Sequence, residues 1–254
     1  YHQRVSRRGV SVSAARDVIR TNTTAIAACM VARGEAEALI CGSVGRFDSH
    51  LPHIIDIIGP ASPETRVSSM GVLILPAGPL FIADAYIGID PPAAQIAATT
   101  LACAERIRNF GVKPKVALLS HSNFGSSRAT SARKMRSALK LIKAQAPDLE
   151  VDGEMHASAA MSQSIRDSLV PDSVLTGSAN LLIMPDLDTA NISMELIRAV
   201  NDALLIGPIL SGTARPAHIV TPWLTMRGIF NMSAIAIADV WRAKNAVAQA
   251  TLKI

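Results

Sequence analysis

Aromatic side chains are scarce in this sequence: 4% of 254 residues, namely two Trp, two Tyr and five Phe. With 49% hydrophobic residues and only 18% charged, the chain is globular, and Ala, Val, Ile and Leu must fill its core. Cysteine is scarce too. Cys29, Cys41 and Cys103 are odd in number, lack C-x-x-C spacing and sit among apolar neighbours. That argues against disulfides and zinc and predicts reduced, buried thiols. No apolar run approaches the ~20 residues of a membrane helix and no start resembles a signal peptide, so a cytoplasmic protein without a membrane partner is expected. The six histidines show no metal spacing, and Walker A, G-x-G-x-x-G and G-x-S-x-G patterns are all missing. His121 and His156 accordingly read as structural or surface residues, and no metal site is expected. The chain opens at Tyr1 without a methionine, into Arg4, Arg7 and Arg8, and is expected to be a piece of something longer.

What is present is organised around Val116 to Arg128. Four apolar residues, Val116 to Leu119, read as a buried strand and give way to Ser120, Ser122, Asn123, Gly125, Ser126 and Ser127. A strand, a loop of small residues and a helix start can present backbone N–H groups to an anion, so the stretch reads as a phosphate cradle. The helix expected from about Ser127 to Gln145 carries Arg133, Arg136, Lys140 and Lys143 on one side and Met135, Leu139 and Ile142 on the other. No acid falls between Arg128 and Pro147, and the cations there outnumber the net charge of +5. Such a face is either solvated or attractive to a polyanion; with no aromatic interleaving and no recognisable module, nucleic acid is not expected.

Ala14 to Arg33 reads as one packed helix with Val18, Ile19, Ile26, Ala27, Met30 and Val31 inward, stopped by Gly34. Ala38 to Cys41 is a short apolar run, Gly42 to His50 a loop, and Leu51 to Ile58 a helix ended by Gly59 and Pro60. Strands are expected over Arg66 to Leu75 and Leu80 to Ile89. Asp90 then caps a helix with Pro91 at its first position, running to Asn109. Further strands are Leu181 to Met184, Leu204 to Leu210 and His218 to Val220; helices follow Asp186 and run from Arg227 to Ala248. Asp186 and Asp188 read as helix caps rather than metal ligands. The alternation predicts a mostly parallel α/β system whose ligands sit beyond the carboxyl ends of strands, where Ser120, Pro185 and Thr221 fall.

PKVALLSHSNFGSS (114–127), VDGEMHASAA (151–160), MPDLDTANI (184–192) and IGPILSGTARPAHIVTP (206–222) together resemble phosphate acetyltransferase, in order and over nearly the whole chain. The SHSNFGS loop and LICGSVGRFDSHLPH (39–53) resemble, within that superfamily, the C-terminal domain of hybrid, NADP-dependent bacterial malic enzymes. The resemblance implies a two-lobed fold, each lobe a three-layer α/β/α arrangement, with a ligand cleft between them. Lobe one would be residues 1–62 with 209–254, its N-terminal part missing, and lobe two the inserted residues 63–208.

The family's transferases carry Ser-Arg-Gly after the strand matching His218 to Val220, an acid two turns on, and an arginine in a leucine-arginine-proline step. Those positions fall on Thr221, Pro222, Trp223 and Gly228, and near Leu51 and Pro52. The resemblance therefore implies no catalytic residues here and a retained cleft that senses acetyl-CoA, lined by Ser120, Ser122, Asn123, Gly125, Ser126, Arg128, Pro185, Asp186, Thr221 and Arg227. It also implies a homodimer through lobe two within a larger homo-oligomer. Upstream domains of the same polypeptide would hold NADP and Mg or Mn and oxidatively decarboxylate malate to pyruvate. An active acyltransferase using Thr221, Ser120 or Asp186 instead, and a structural oligomerisation domain, remain alternatives.

Overall fold

The computed structural model describes residues 1–251, with side chains through residue 245. The chain forms two compact units, Tyr1–Val67 with Gly207–Ile254, and Ser68–Ile206.

The first unit begins with α1 (His2–Val5), a 3-10 turn (Ser6–Arg8), α2 (Val12–Thr21) and α3 (Thr23–Arg33). The single helix expected over Ala14 to Arg33 is thus two. Asn22 is extended at φ −97° and ψ 106°, and its side chain accepts from the Ala25 amide at 2.9 Å, capping a fresh helix instead of continuing the old one. The inward face of α3 is Ala25, Ala28 and Val31, which leaves Met30 exposed. Strand β1 (Leu39–Cys41) follows, then α4 (Phe47–Ile57), which starts four residues before the expected Leu51 and carries Pro52 inside it. Gly42, at φ +100°, makes this turn possible: a Cβ there would lie 2.2 Å from the Val220 carbonyl oxygen. Of the three thiols only Cys103 is fully buried; Cys29 and Cys41 are half-buried, and burial pushes Cys41 up to about 11.

The second unit opens with a hairpin of β2 (Ser68–Leu75) and β3 (Gly78–Ala83), antiparallel across Pro76 and Ala77. After α5 (Ala93–Asn109) come β4 (Lys115–Leu119), α6 (Thr130–Gln145), β5 (Glu150–Met155), α7 (Ala157–Met161), α8 (Gln163–Leu169), β6 (Leu181–Ile183) and α9 (Leu187–Asn201). Strand β7 (Leu204–Ser211) crosses into the first unit, where β8 (Ala217–Ile219) pairs in parallel with β1 and α10 (Met226–Thr251) closes the described chain. The large sheet runs β5-β4-β6-β3-β2-β7, with β5, β4, β6 and β3 mutually parallel.

Strand alternation builds the layers. Leu80, Ile82, Ala117, Leu119 and Leu182 point to one face and pack with Ala159 and Ala160 of α7 and Ala190 and Met194 of α9. Their neighbours Phe81, Val116, Leu118 and Leu181 are buried on the other face, where α5 and α6 lie against the strands. Several starts and ends differ from expectation, three of them for a visible reason. Strand β3 stops at Ala83 because the Asp84 carboxylate accepts from the amides of Tyr86 (3.2 Å) and Ile87 (3.3 Å) and turns the chain. Helix α5 starts at Ala93 behind Pro92, so Asp90 is free to pair with Lys134 at 2.5 Å instead of capping. Helix α6 starts at Thr130, since Ser127 is used inside the preceding loop.

Two buried polar groups fix elements in place. Arg166 has no exposure and its guanidinium donates to the carbonyls of Ala159 (2.8 Å), Leu175 (2.7 Å) and Gly177 (2.8 Å), which satisfies a stretch with little regular structure of its own. In the first unit His218 accepts the Leu210 amide at Nδ1 (3.2 Å), so Nε2 carries the proton and donates to Asp239 (3.1 Å), which also takes Arg242 at 2.6 Å. This chain of bonds seats α10 through its Met232 and Ala236 side, while Trp223, Met226, Phe230, Ile237 and Trp241 remain exposed.

Candidate functional site

The carboxyl ends of β3, β6, β4 and β5 lie side by side, and the amino end of antiparallel β2 joins them. This edge of the second unit gathers Ser69, Asp84, Pro185, Asp186, Ser120 and Glu154, the place where open α/β sheets hold ligands.

Glu154 reaches this edge through a bulge. Leu118 pairs with Gly153 but Leu119 pairs with Met155, so Glu154 is left out of the ladder and its side chain is re-aimed. Gly153 permits it: its φ is +142°, and a Cβ would stand 2.6 Å from the Leu118 carbonyl oxygen. The Glu154 side chain is fully buried, and its Oε1 accepts from Ser122 Oγ (2.7 Å), the Gly125 amide (3.0 Å) and Arg136 Nη1 (2.7 Å). Arg136 Nη2 donates to the Ser127 carbonyl at 3.0 Å. Glu154 Oε2 has no hydrogen-bond partner, and neither has the buried Ser120 Oγ.

The loop closes on itself around this carboxylate. The Asn123 amide donates to Ser126 Oγ (3.1 Å), Phe124 to the Glu154 carbonyl (2.7 Å), Ser126 to the Asn123 carbonyl (3.0 Å) and Ser127 to Ser122 Oγ (3.1 Å). Asn123 Oδ1 accepts the His156 amide at 2.8 Å, tying the loop to the start of α7. Phe124, at φ +47°, packs on the apolar cluster, and Gly125, at φ +92°, has open space where a Cβ would stand. The expectation that these amides face an incoming anion is therefore corrected: each has an acceptor within the protein.

The structure thus brings Ser120, Ser122, Asn123, Gly125, Ser126, Pro185 and Asp186 to one sheet edge, with Arg128 exposed after the loop. Asp186 caps α9, accepting from the Thr189 amide (2.8 Å) and hydroxyl (2.5 Å). Thr221, Pro222 and Arg227 belong to the first unit, as do the buried Gly228 and the exposed Pro52. Two of the four cations on the basic face of α6 are countered by the unit's own acids, Arg136 by Glu154 and Lys143 by Asp152 at 3.8 Å, and the neighbouring Lys134 pairs with Asp90. Sequence reasoning missed Glu154, Arg136 and Asp84 as site residues; a glycine inside a buried strand next to an acid was the available sign of a bulge. Among the described residues no group of three or more His, Cys, Asp and Glu is placed to hold a metal, and no helix is long and apolar enough to cross a membrane.

The profile described as phosphate acetyl/butaryl transferase matches residues 1–237. The chain belongs to that family. It is 49% identical over 239 residues to an NAD-dependent malic enzyme of Rhizobium meliloti (strain 1021), covering 94% of this chain and 31% of the relative. It is 45% identical over 240 residues to an NADP-dependent malic enzyme of Escherichia coli (strain K12), covering 94% and 32%. The chain therefore spans about a third of the length of these malic enzymes. Among solved structures, a phosphotransacetylase from Streptococcus pyogenes superposes with a TM-score of 0.86 at 26% identity, over 93% of this chain and 72% of that one. The phosphotransacetylase-like α/β fold expected from the resemblance is thus the fold of this chain.

Asp84 gives this edge a pH dependence. Burial raises its carboxyl above the ordinary 3.8, against the lowering effect of Ser69 and the amides of Tyr86, Ile87 and Gly88. The folded state holds the proton more tightly than the unfolded chain. The stability contributed by Asp84 is therefore full below 3.8 and lost as pH rises through the raised folded value. Asp84→Asn keeps the shape and removes the titration. The urea midpoint of the wild type should fall relative to that of Asp84→Asn as pH is raised from 3.8; a constant difference would show that Asp84 is not the titrating group.

Proposed function

We propose that this chain is a ligand-sensing and assembly domain of a malic enzyme, in which the phosphotransacetylase frame is kept, the transfer chemistry is lost, and acetyl-CoA is the ligand. What carries the reading is that Thr221, Pro222, Trp223 and Gly228 stand where the family resemblance places a Ser-Arg-Gly and a following acid. Acetyl transfer between coenzyme A and phosphate needs a base at the thiol and cations for phosphate and the developing oxyanion. Proline and a buried glycine supply neither. Each lost transition-state contact costs on the order of a hundredfold or more in rate. The substitutes also have other employment: Asp186 is committed to capping α9, and Ser120 Oγ is buried with no partner to act as its base.

The chain matches only about a third of each malic enzyme. In this reading malate oxidation, the nicotinamide coenzyme and the divalent metal belong to the remaining two thirds of such a polypeptide. The two relatives are named for different coenzymes, NAD in one and NADP in the other. We place acetyl-CoA at the sheet edge over Gly125 and Ser126, with Arg128 offering a charge-assisted contact to a phosphate group. A ligand regulates a second site only by its differential affinity for two arrangements of the protein, so the reading requires binding without consumption.

Calorimetric titration with acetyl-CoA and an acetyl phosphate assay on the same sample test this. Saturable binding, weakened about tenfold by Arg128→Ala as for loss of one hydrogen bond to a charged group, with no turnover in phosphate, is the expected result. Robust acetyl phosphate formation would establish the acyltransferase reading instead, and no binding would leave a structural domain.

For assembly, Ile192, Leu196 and Val200 form an exposed apolar stripe on α9 at i, i+4 and i+8. We place the two-fold contact of the inserted lobe there, because a self-complementary apolar strip is what an isologous interface needs. The wild-type chain should sediment as a dimer at micromolar concentration and Leu196→Asp as a monomer. A monomeric wild type would refute the pairing.

A further inference from the structure

We propose that Glu154 is a resident anion: its carboxylate fills the nest formed by the Ser122–Ser127 loop, with Arg136 as counter-ion, and thereby excludes phosphate groups from that nest. The inference holds whichever ligand the sheet edge takes, so its failure would leave the acetyl-CoA reading standing.

The donors that would hold a phosphate are all present. A hydroxyl (Ser122), a backbone amide (Gly125) and a guanidinium (Arg136) converge on one carboxylate oxygen at 2.7, 3.0 and 2.7 Å. Such a set is an anion receptor by its chemistry, combining the charge-assisted contact of arginine with an amide in a glycine turn. Here the receptor is satisfied from within. The amides of Asn123, Phe124, Ser126 and Ser127 have acceptors of their own. An arriving dianion would find these five amides already engaged, and a buried negative charge beside it.

The bulge at Gly153 and Glu154 shows that the occupant is built in. In regular register Glu154 would stand in the ladder; the break in pairing is what swings its side chain beneath the loop. A carboxylate with no solvent exposure is costly unless charge-paired, and Arg136 is the cation that meets it. Arg136 is thus spoken for, although it lies on the face of α6 that reads from sequence as attractive to polyanions. Phosphate-bearing ligands must place those groups outside the nest, where Arg128 is exposed, and present to the loop a part that is neutral.

The test is a titration with inorganic phosphate, matched in ionic strength by sodium chloride, followed at the Gly125 amide in nitrogen–proton spectra. In wild type this amide should be slow to exchange with solvent and unshifted by phosphate. Glu154→Ala empties the nest and removes the charge, leaving Arg136 uncompensated, so phosphate should bind at least about tenfold tighter than to wild type. Glu154→Ala with Arg136→Gln should lose that gain. A merely structural role for Glu154 predicts no gain in any variant. A saturable phosphate shift of Gly125 in wild type, or a folded Glu154→Ala that gains nothing, would overturn the proposal. Should Glu154→Ala fail to fold, the wild-type arm decides: a protected, unshifted Gly125 amide supports the proposal and a shifted one overturns it.

Discussion

A single buried carboxylate organises the loop on which the site depends. Glu154 holds Ser122, Gly125 and Arg136 on one oxygen, and through them joins β5, the β4–α6 loop and α6. Removing a carboxylate from water costs several kcal/mol even after relaxation, so the group is tolerated only with its partners in place. Loss of Arg136 would leave that charge buried and unpaired, and loss of Ser122 or of the Gly125 contact would remove one of its hydrogen bonds. The shape that the loop shows to a ligand is therefore a consequence of its internal electrostatics.

The proposed function separates the family's fold from its chemistry. The three-layer sheet of the second unit and the placement of polar groups at the carboxyl ends of its strands follow from packing and strand polarity. They do not depend on the residues that perform transfer. Pro222 and Gly228 stand where the family resemblance places an arginine and an acid, and neither position is among the strand residues that build the core of the second unit. Binding and catalysis can thus separate, because function is carried by residues grafted on the frame.

Most elements were legible from periodicity and punctuation. The apolar run Val116 to Leu119 is β4, the 181–183 segment is β6, and Asp186 caps the following helix as its position before an amphipathic run suggests. The errors fall where a polar side chain competes with the backbone. Asn22 starts a new helix within a continuous apolar stripe, and Asp84 ends a strand that hydrophobicity alone would extend to Ile89. The serines of the central loop were read as donors awaiting an anion, since sequence spacing does not reveal that an acid 32 residues after Ser122 returns beneath them. That pairing is tertiary; only the Gly153 beside Glu154 hints at it. Arg166 was invisible for the same reason, its partners being main-chain carbonyls that any sequence possesses.

The central claim is that the sheet edge of the second unit holds acetyl-CoA without transforming it. Hydrogen exchange with and without acetyl-CoA, in phosphate buffer, with the ligand recovered and weighed by mass spectrometry at the end, tests it most directly. The account predicts slowed exchange confined to the residue 120–128 loop and neighbouring strand ends, and acetyl-CoA recovered intact. Unchanged exchange in that loop, or recovery of free coenzyme A with acetyl phosphate, would contradict it.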